Sequence, residues 1–132
     1  EVGAAHAALA VKTKTEGGRV ALISGGELTV TMTGNGRGGP SREYALGLAL
    51  ALNGAGGISA LAIDTDGADG GPDAAGAIID STTLARARAT RIDPAAALAA
   101  NDTGKLFDTL SDAIVTGPTG TNVNDLRVIL IE

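Results

Sequence analysis

Val20-Ala21-Leu22-Ile23-Ser24-Gly25-Gly26-Glu27-Leu28-Thr29-Val30-Thr31-Met32-Thr33 is the stretch on which the fold class turns. Val20–Ser24 is a continuous apolar run of the kind buried on both faces, whereas residues 28–33 place threonine at every second position, the alternation of a half-exposed strand. Gly26-Glu27 joins the two. Two residues suffice for a hairpin but not for a parallel crossover, so at least one antiparallel pair is expected. Working outward, a helix over 42–52 follows Pro40, and Ile58–Ile63 reads as a second buried strand. Ala77-Ile78-Ile79 is a short apolar segment, with helical stretches around 83–88 and, opened by Asp93-Pro94, around 95–100. Ala113–Val115 and Leu126–Ile131 read as strands, and the N-terminal segment through Val11 as a helix. Together these give an α/β class: one domain over residues 1–132 whose mixed β-sheet is packed by helices.

Composition narrows the function. The chain has 132 residues, 44% of them hydrophobic, yet only one Phe, one Tyr and no Trp, so its core must be built from small aliphatics. The absence of cysteine excludes disulfides and thiolate metal sites, argues against zinc, and makes a cytoplasmic location the expectation. A net charge of −5 with scattered basic residues gives no cationic stripe, so nucleic acid is not an expected partner. No apolar run has the length to span a bilayer, and no leader pattern opens the chain. The single histidine, His6, falls inside the first helix and reads as structural.

Four polar loops fall at strand ends in this layout. Ser24–Glu27 is a turn. Gly34–Pro40 fits G-x-G-x-x-G, with Asp64 at the distance of a ribose-binding carboxylate, but the half-exposed strand before it is unlike a dinucleotide-binding first strand. Nor is it a Walker A loop, since Pro40 and Ser41 stand where a lysine and hydroxyl should follow. Glycine amides with Arg37 at a helix start could hold an anion; a structural turn is the equal alternative. Asp64–Asp73 carries four carboxylates in ten residues, which suits either magnesium or a solvated turn. Thr116–Asp125 carries three threonines, two asparagines and an aspartate, more chemistry than reversing the chain requires.

Taken in order, Ser24-Gly25-Gly26-Glu27, Gly36-Arg37-Gly38-Gly39 with Glu43, Asp64-Thr65-Asp66-Gly67 with Asp69-Gly70, Asn101-Asp102, and Thr116–Thr119 with Thr121–Asp125 closely resemble the MOFRL domain. That domain is the C-terminal part of class II glycerate 2-kinases, which also carry the name hydroxypyruvate reductase. The resemblance covers nearly the whole chain. It implies a transferase: ATP- and magnesium-dependent phosphorylation of the 2-hydroxyl of D-glycerate to 2-phosphoglycerate, in a cleft shared with a larger N-terminal domain. That domain, with the family's catalytic lysine, is absent from these residues, so the chain is expected to be a fragment or stand-alone relative and inactive by itself. Many relatives place arginine and asparagine after the Gly-Gly pair, where this chain has Pro40 and Ser41. Arg37 or Arg42 is then the residue left to meet phosphate. The role of the relatives' arginine does not carry over, and the residues expected to act in its setting are Arg37 as the catalytic cation; Gly25, Gly26, Gly38, Gly39, Thr119, Thr121, Asn122 and Asn124 for phosphate or substrate contacts; and Asp66 and Asp69 for magnesium, directly or through water. Two other classes stay open: an NAD(P)H-dependent hydroxypyruvate reductase and a non-catalytic binding or assembly domain.

Overall fold

The computed structural model describes residues 1–31 and 33–132. Its elements are α1 (Val2–Glu16), β1 (Val20–Gly25), α2 (Pro40–Leu52), β2 (Ile58–Asp64), β3 (Gly76–Ile79), α3 (Thr83–Ala89), α4 (Pro94–Ala99), α5 (Thr103–Leu110), β4 (Ala113–Ile114) and β5 (Asp125–Ile131). The strands form one sheet in the order β1-β5-β2-β3-β4. The α/β class with helices packed on a sheet is as expected. Mixed pairing is not: among the described residues every pair is antiparallel. β1 and β2 do run the same way, but the C-terminal strand inserts between them, setting Ile129 opposite Leu22 on one side and Ala60 on the other.

The hairpin partner expected at 28–33 is a second correction. Met32 lies outside the described residues, and the rest of the segment is not in the sheet. The chain turns away at Gly26, whose φ of +96° suits glycine alone, and the Leu28 N–H donates to Asp125 Oδ2 at 3.3 Å. β5 offers β1 a full ladder from Val20–Ile131 to Gly25–Leu126, and it takes the place that the local pattern assigned to residues 28–33. The alternating threonines instead follow an exposed path toward Asn101.

Sequence also missed α5. Its Leu106 and Phe107 are fully buried and carry the end of the core, a signal present in the apolar pair one turn before Leu110. The core lies on one sheet face, where Leu46, Leu48 and Leu52 of α2 meet Ala60, Ala62, Ala77, Ile79, Ile129 and Ile131. Small residues permit close approach, as expected from composition: a Cβ on Gly3 of α1 would lie 2.9 Å from the Leu48 nitrogen. All five helices belong to this layer, directly or through α2. The other face of the sheet carries Ile23, Leu61, Ile63, Ile78, Val128 and Leu130, with no helix of the described residues over it.

The register fixes where the loops go. Asp64 stands opposite Asp125, and Gly25 opposite Leu126, so the ends of β1 and β2 and the start of β5 share one edge of the sheet. Gly76 opposite both Ile63 and Ile114 adds the start of β3 and the end of β4 to it.

Two glycines test this packing with opposite signs. A Cβ on Gly76 would sit 1.8 Å from the Ala62 carbonyl oxygen, whereas one on Gly47, inside α2, meets nothing within 4 Å. In urea unfolding, Gly76→Ala is expected to cost about 1–3 kcal/mol, and Gly47→Ala to add about 0.5–1 kcal/mol.

Candidate functional site

The four polar loops meet at this one end of the molecule, and the start of α2 is their hub. Asp69 is 1% exposed and accepts from the Ser41 N–H at 2.7 Å and the Arg42 N–H at 3.0 Å, which caps the helix from a distant loop. Arg42 is fully buried; its Nε donates to Asp69 Oδ2 at 2.9 Å and its Nη1 to Asp73 Oδ2 at 3.0 Å. A buried pair of this kind holds only because nearly every donor finds an acceptor. Arg42 is therefore committed to structure and cannot reach a ligand. Asp69 is committed with it, since both carboxylate oxygens accept protein donors.

Gly38 and Gly39 lie directly against this hub. A Cβ on Gly39 would come within 2.3 Å of the Asp69 carbonyl oxygen, and one on Gly38 within 2.4 Å of the Thr103 hydroxyl. Close packing thus accounts for both glycines. Among the described residues, neither their N–H groups nor the buried hydroxyls of Ser41 and Thr103 find a partner.

Arg37 differs from Arg42. Its backbone is fixed, with its N–H donating to Asp102 Oδ1 at 3.0 Å and its carbonyl accepting from Gly104 at 2.7 Å. Its guanidinium is half exposed, paired with Asp73 and with Asp108 Oδ2 at 2.5 Å. Hydrogen bonds to Asp108 and Asp73 hold its pKa above the ordinary arginine value. Those carboxylates position a cation beside Gly38 and Gly39 in the lining of a 430 Å³ cavity that includes Val30, Glu43, Gly70 and Asn101.

Asn101 also lines the cavity. It is buried with φ +53°, accepts on Oδ1 from the Thr33 and Gly34 N–H groups at 2.7 and 2.9 Å, and donates from Nδ2 to Glu43 Oε1 at 2.5 Å. Glu43 is half buried. Its pKa lies above the ordinary glutamate value, chiefly through burial, with the Asn101 bond opposing and Asp69 reinforcing the rise.

Loops 64–73 and 116–124 are stitched together beyond the sheet. The Thr119 hydroxyl donates to the Thr65 carbonyl at 2.5 Å, the Thr65 hydroxyl to the Asn124 carbonyl at 2.7 Å, and the Val123 N–H to the Thr65 hydroxyl at 2.8 Å. Asn124, at φ +66°, donates its N–H to Asn122 Oδ1 at 3.0 Å. The Thr119 hydroxyl and the Asn124 backbone are used in building the loop, leaving Thr121, the Asn122 amide nitrogen and the Asn124 side chain as exposed groups. Asp66 lies beside them, one carboxylate oxygen accepting from the Ala68 N–H at 2.8 Å. Asp64, opposite Asp125, has its pKa raised first by burial.

Gly25 and Gly26 complete the cluster, but through their carbonyls. Arg127, 4% exposed on the inner face of β5, donates from Nη2 to Gly25 at 2.5 Å and from Nη1 to Gly26 at 3.2 Å. Its guanidinium also lies 5.4 Å from the centre of the Tyr44 ring. The Tyr44 hydroxyl meets His6 Nδ1 at 2.7 Å, and burial pushes the tyrosine pKa up to about 12. His6 is structural, as expected. Sequence reading overlooked Arg127, whose only signal is one charge in the apolar run Leu126–Ile131.

A two-carboxylate metal site at Asp66 and Asp69 does not fit this geometry, because Asp69 faces α2 and Arg42. Among the described residues no group of three or more histidine or acidic side chains is placed to hold an ion. Asp66 remains able to approach a cation that arrives with a ligand. The dinucleotide fingerprint also loses its context: Gly34–Gly39 follows no strand among the described residues.

The MOFRL family profile matches residues 20–125. A D-glycerate 2-kinase of Thermotoga maritima is 46% identical over 111 residues, which cover 84% of this chain and 27% of that protein. A protein of Agrobacterium vitis, provisionally named a hydroxypyruvate reductase, is 47% identical over 137 residues, covering 99% of this chain and 36% of that one. The crystal structure of a glycerate kinase from Thermotoga maritima superimposes with a TM-score of 0.94 at 40% identity, covering 98% of this chain and 32% of that one. The chain thus spans about a third of the length of the proteins it matches.

Stability should report the hub directly. Asp69→Ala strands the buried Arg42 charge and is expected to cost about 3–5 kcal/mol in urea unfolding, while Asp69→Ala with Arg42→Met recovers part of that loss. Asp73 is held below the ordinary carboxylate range, first by its hydrogen bond to Arg42 and then by that to Arg37. A depressed pKa contributes stability above the unfolded value that is lost as pH falls through the folded one. The destabilisation by Asp73→Asn should therefore be full at pH 7 and shrink toward pH 3 in parallel unfolding curves.

Proposed function

The chain belongs to the MOFRL family, and from that premise we propose that it is the C-terminal domain of a glycerate 2-kinase, acting on ATP and D-glycerate with an N-terminal domain to form 2-phosphoglycerate. The observation that carries this reading is that Arg37, Gly38 and Gly39 line one cavity, with the Asp66 and Thr119–Asn124 loops gathered at the same end of the sheet. Phosphoryl transfer asks mainly for positioning and for donors aimed at phosphate oxygens, and this set supplies them without a nucleophile of its own. The glycerate 2-hydroxyl oxygen forms the new bond to the γ-phosphorus as the bond to the ADP oxygen breaks.

In this reading Arg37 is the catalytic cation: turned from Asp73 or Asp108, its guanidinium meets the transferring phosphate or the glycerate carboxylate. The Gly38 and Gly39 N–H groups add uncharged donors. Thr121 and Asn122 orient substrate, while Gly25, Gly26, Thr119 and Asn124 hold the loops that present them. Asp66 would approach, through water, a magnesium ion bound with the nucleotide, which would offset the phosphate charge, while Asp69 serves only to position α2 and Arg42. Glu43 is the carboxylate suited to receive the hydroxyl proton, at Oε2, because Asn101 occupies Oε1 and burial raises its basicity.

The reductase reading is weaker. It rests on the name of the Agrobacterium relatives, while β5 parts β1 from β2, so the adjacent parallel pair of a dinucleotide-binding βαβ unit is not formed among the described residues.

The enzyme to test is a graft in which this chain replaces the matched region of the Thermotoga D-glycerate 2-kinase. There Arg37→Ala is expected to lower kcat/KM about 10- to 100-fold, the worth of a hydrogen bond to a charged group. Unchanged turnover would remove Arg37 from the chemistry. Glu43→Gln keeps the Asn101 bond and should lower kcat more than it raises KM, and the acid limb of the pH profile, set above the ordinary glutamate range, should vanish.

A further inference from the structure

An antiparallel sheet with one face in water normally alternates apolar-in and polar-out. This one does not. Its uncovered face carries Ile23 on β1, Leu61 and Ile63 on β2, Ile78 on β3, and Val128 and Leu130 on β5, each alternating with a core residue on the opposite side. Ile23 is 70% exposed, Leu130 47% and Ile78 44%. The continuous apolar runs in the sequence are the pattern of strands covered on both faces, and the structure covers only one. Val115 and Val123, 70% and 71% exposed, add apolar side chains in the segment that joins β4 to β5.

We propose that this uncovered sheet face is the docking surface for the N-terminal domain. The inference rests on the reading that the domain works as part of a longer kinase. An apolar sheet face is buried by packing against another layer, and the described helices of this chain all lie on the opposite side, which makes an apolar layer of a further domain the fitting occupant. Between β2, β3 and β5 the face has a dent of about 260 Å³, floored by Leu61, Ile78, Val128 and Leu130, that can receive such a layer's side chains. At its rim Arg86 pairs with Asp112 at 2.6 Å and approaches Asp80 at 3.8 Å, giving the polar border of a protein interface. A second copy is the poorer occupant, since it would bring two net charges of −5 face to face. The Thermotoga glycerate kinase, which matches 98% of this chain with only 32% of its own, has ample further chain for the purpose.

The chain's lack of cysteine allows a direct test. Ile78→Cys reports the face, Lys105→Cys an exposed position on the helical side, and Ala87→Cys, fully buried in α3, the integrity of the fold. Alkylation rates are compared between this chain alone and the Thermotoga graft, with 2-phosphoglycerate formation followed in the same samples. The thiol of Ile78→Cys is expected to react at least tenfold more slowly in the graft, with that of Lys105→Cys unchanged and that of Ala87→Cys unreactive in both. Equal reactivity of the Ile78→Cys thiol in a graft that protects the Ala87→Cys thiol would overturn the proposal, as would concentration-dependent protection in the isolated chain, which would assign the face to a second copy. Protection without phosphorylation would uphold the docking surface and refute the kinase reading alone. A graft in which the Ala87→Cys thiol reacts is replaced by a variant of the isolated chain. Ile78→Asp with Val128→Asp should then cut binding of an apolar-surface dye several-fold with Tm unchanged or raised. A lowered Tm would show that these side chains already serve the fold, and would overturn the proposal.

Discussion

Everything at the functional end of the domain depends on the ion pair of Asp69 with Arg42. The carboxylate of a loop between β2 and β3 caps α2, and the arginine of α2 returns to the same loop through Asp69 and Asp73. Loop and helix are thereby fixed in one geometry. Gly38 and Gly39 can pass only because they lack side chains where the chain crosses Asp69 and Thr103. A fully buried charge pair is a poor source of net stability, and its better-supported use is to specify one arrangement. Here the arrangement specified is that of Arg37 and the glycine amides about their cavity.

The same pair shows what sequence could and could not reveal. Composition and pattern identified a single α/β domain, a structural His6, and four loops rich in chemistry, and the sheet register brings those loops together. Individual roles were hidden, because a role depends on which partner each charge finds. Asp69 and Arg42 look in sequence like Asp66 and Arg37, yet the first two are sealed together and the second two remain near solvent. Arg127, the tie between β5 and the Gly25-Gly26 turn, appears in sequence only as an interruption of an apolar run.

The sheet was misread for a related reason. Alternation over residues 28–33 is a local signal, and strand choice is decided by the competition for β1. A strand about a hundred residues downstream wins it with a complete ladder and an apolar face. Insertion of β5 between β1 and β2 then makes every pair antiparallel. It also aligns Asp64 with Asp125, concentrating charge at the site, and leaves opposite the core a second apolar face that no helix of the described residues covers.

The proposed role in phosphoryl transfer rests on family membership and on a glycine-rich cavity lined by Arg37. The most direct measurement is formation of 2-phosphoglycerate from ATP and D-glycerate with magnesium, made on this chain alone and on its graft into the Thermotoga enzyme, beside NADH oxidation with hydroxypyruvate. The account predicts phosphorylation by the graft alone, with NADH untouched in both. Consumption of NADH by a folded graft that forms no 2-phosphoglycerate would contradict it.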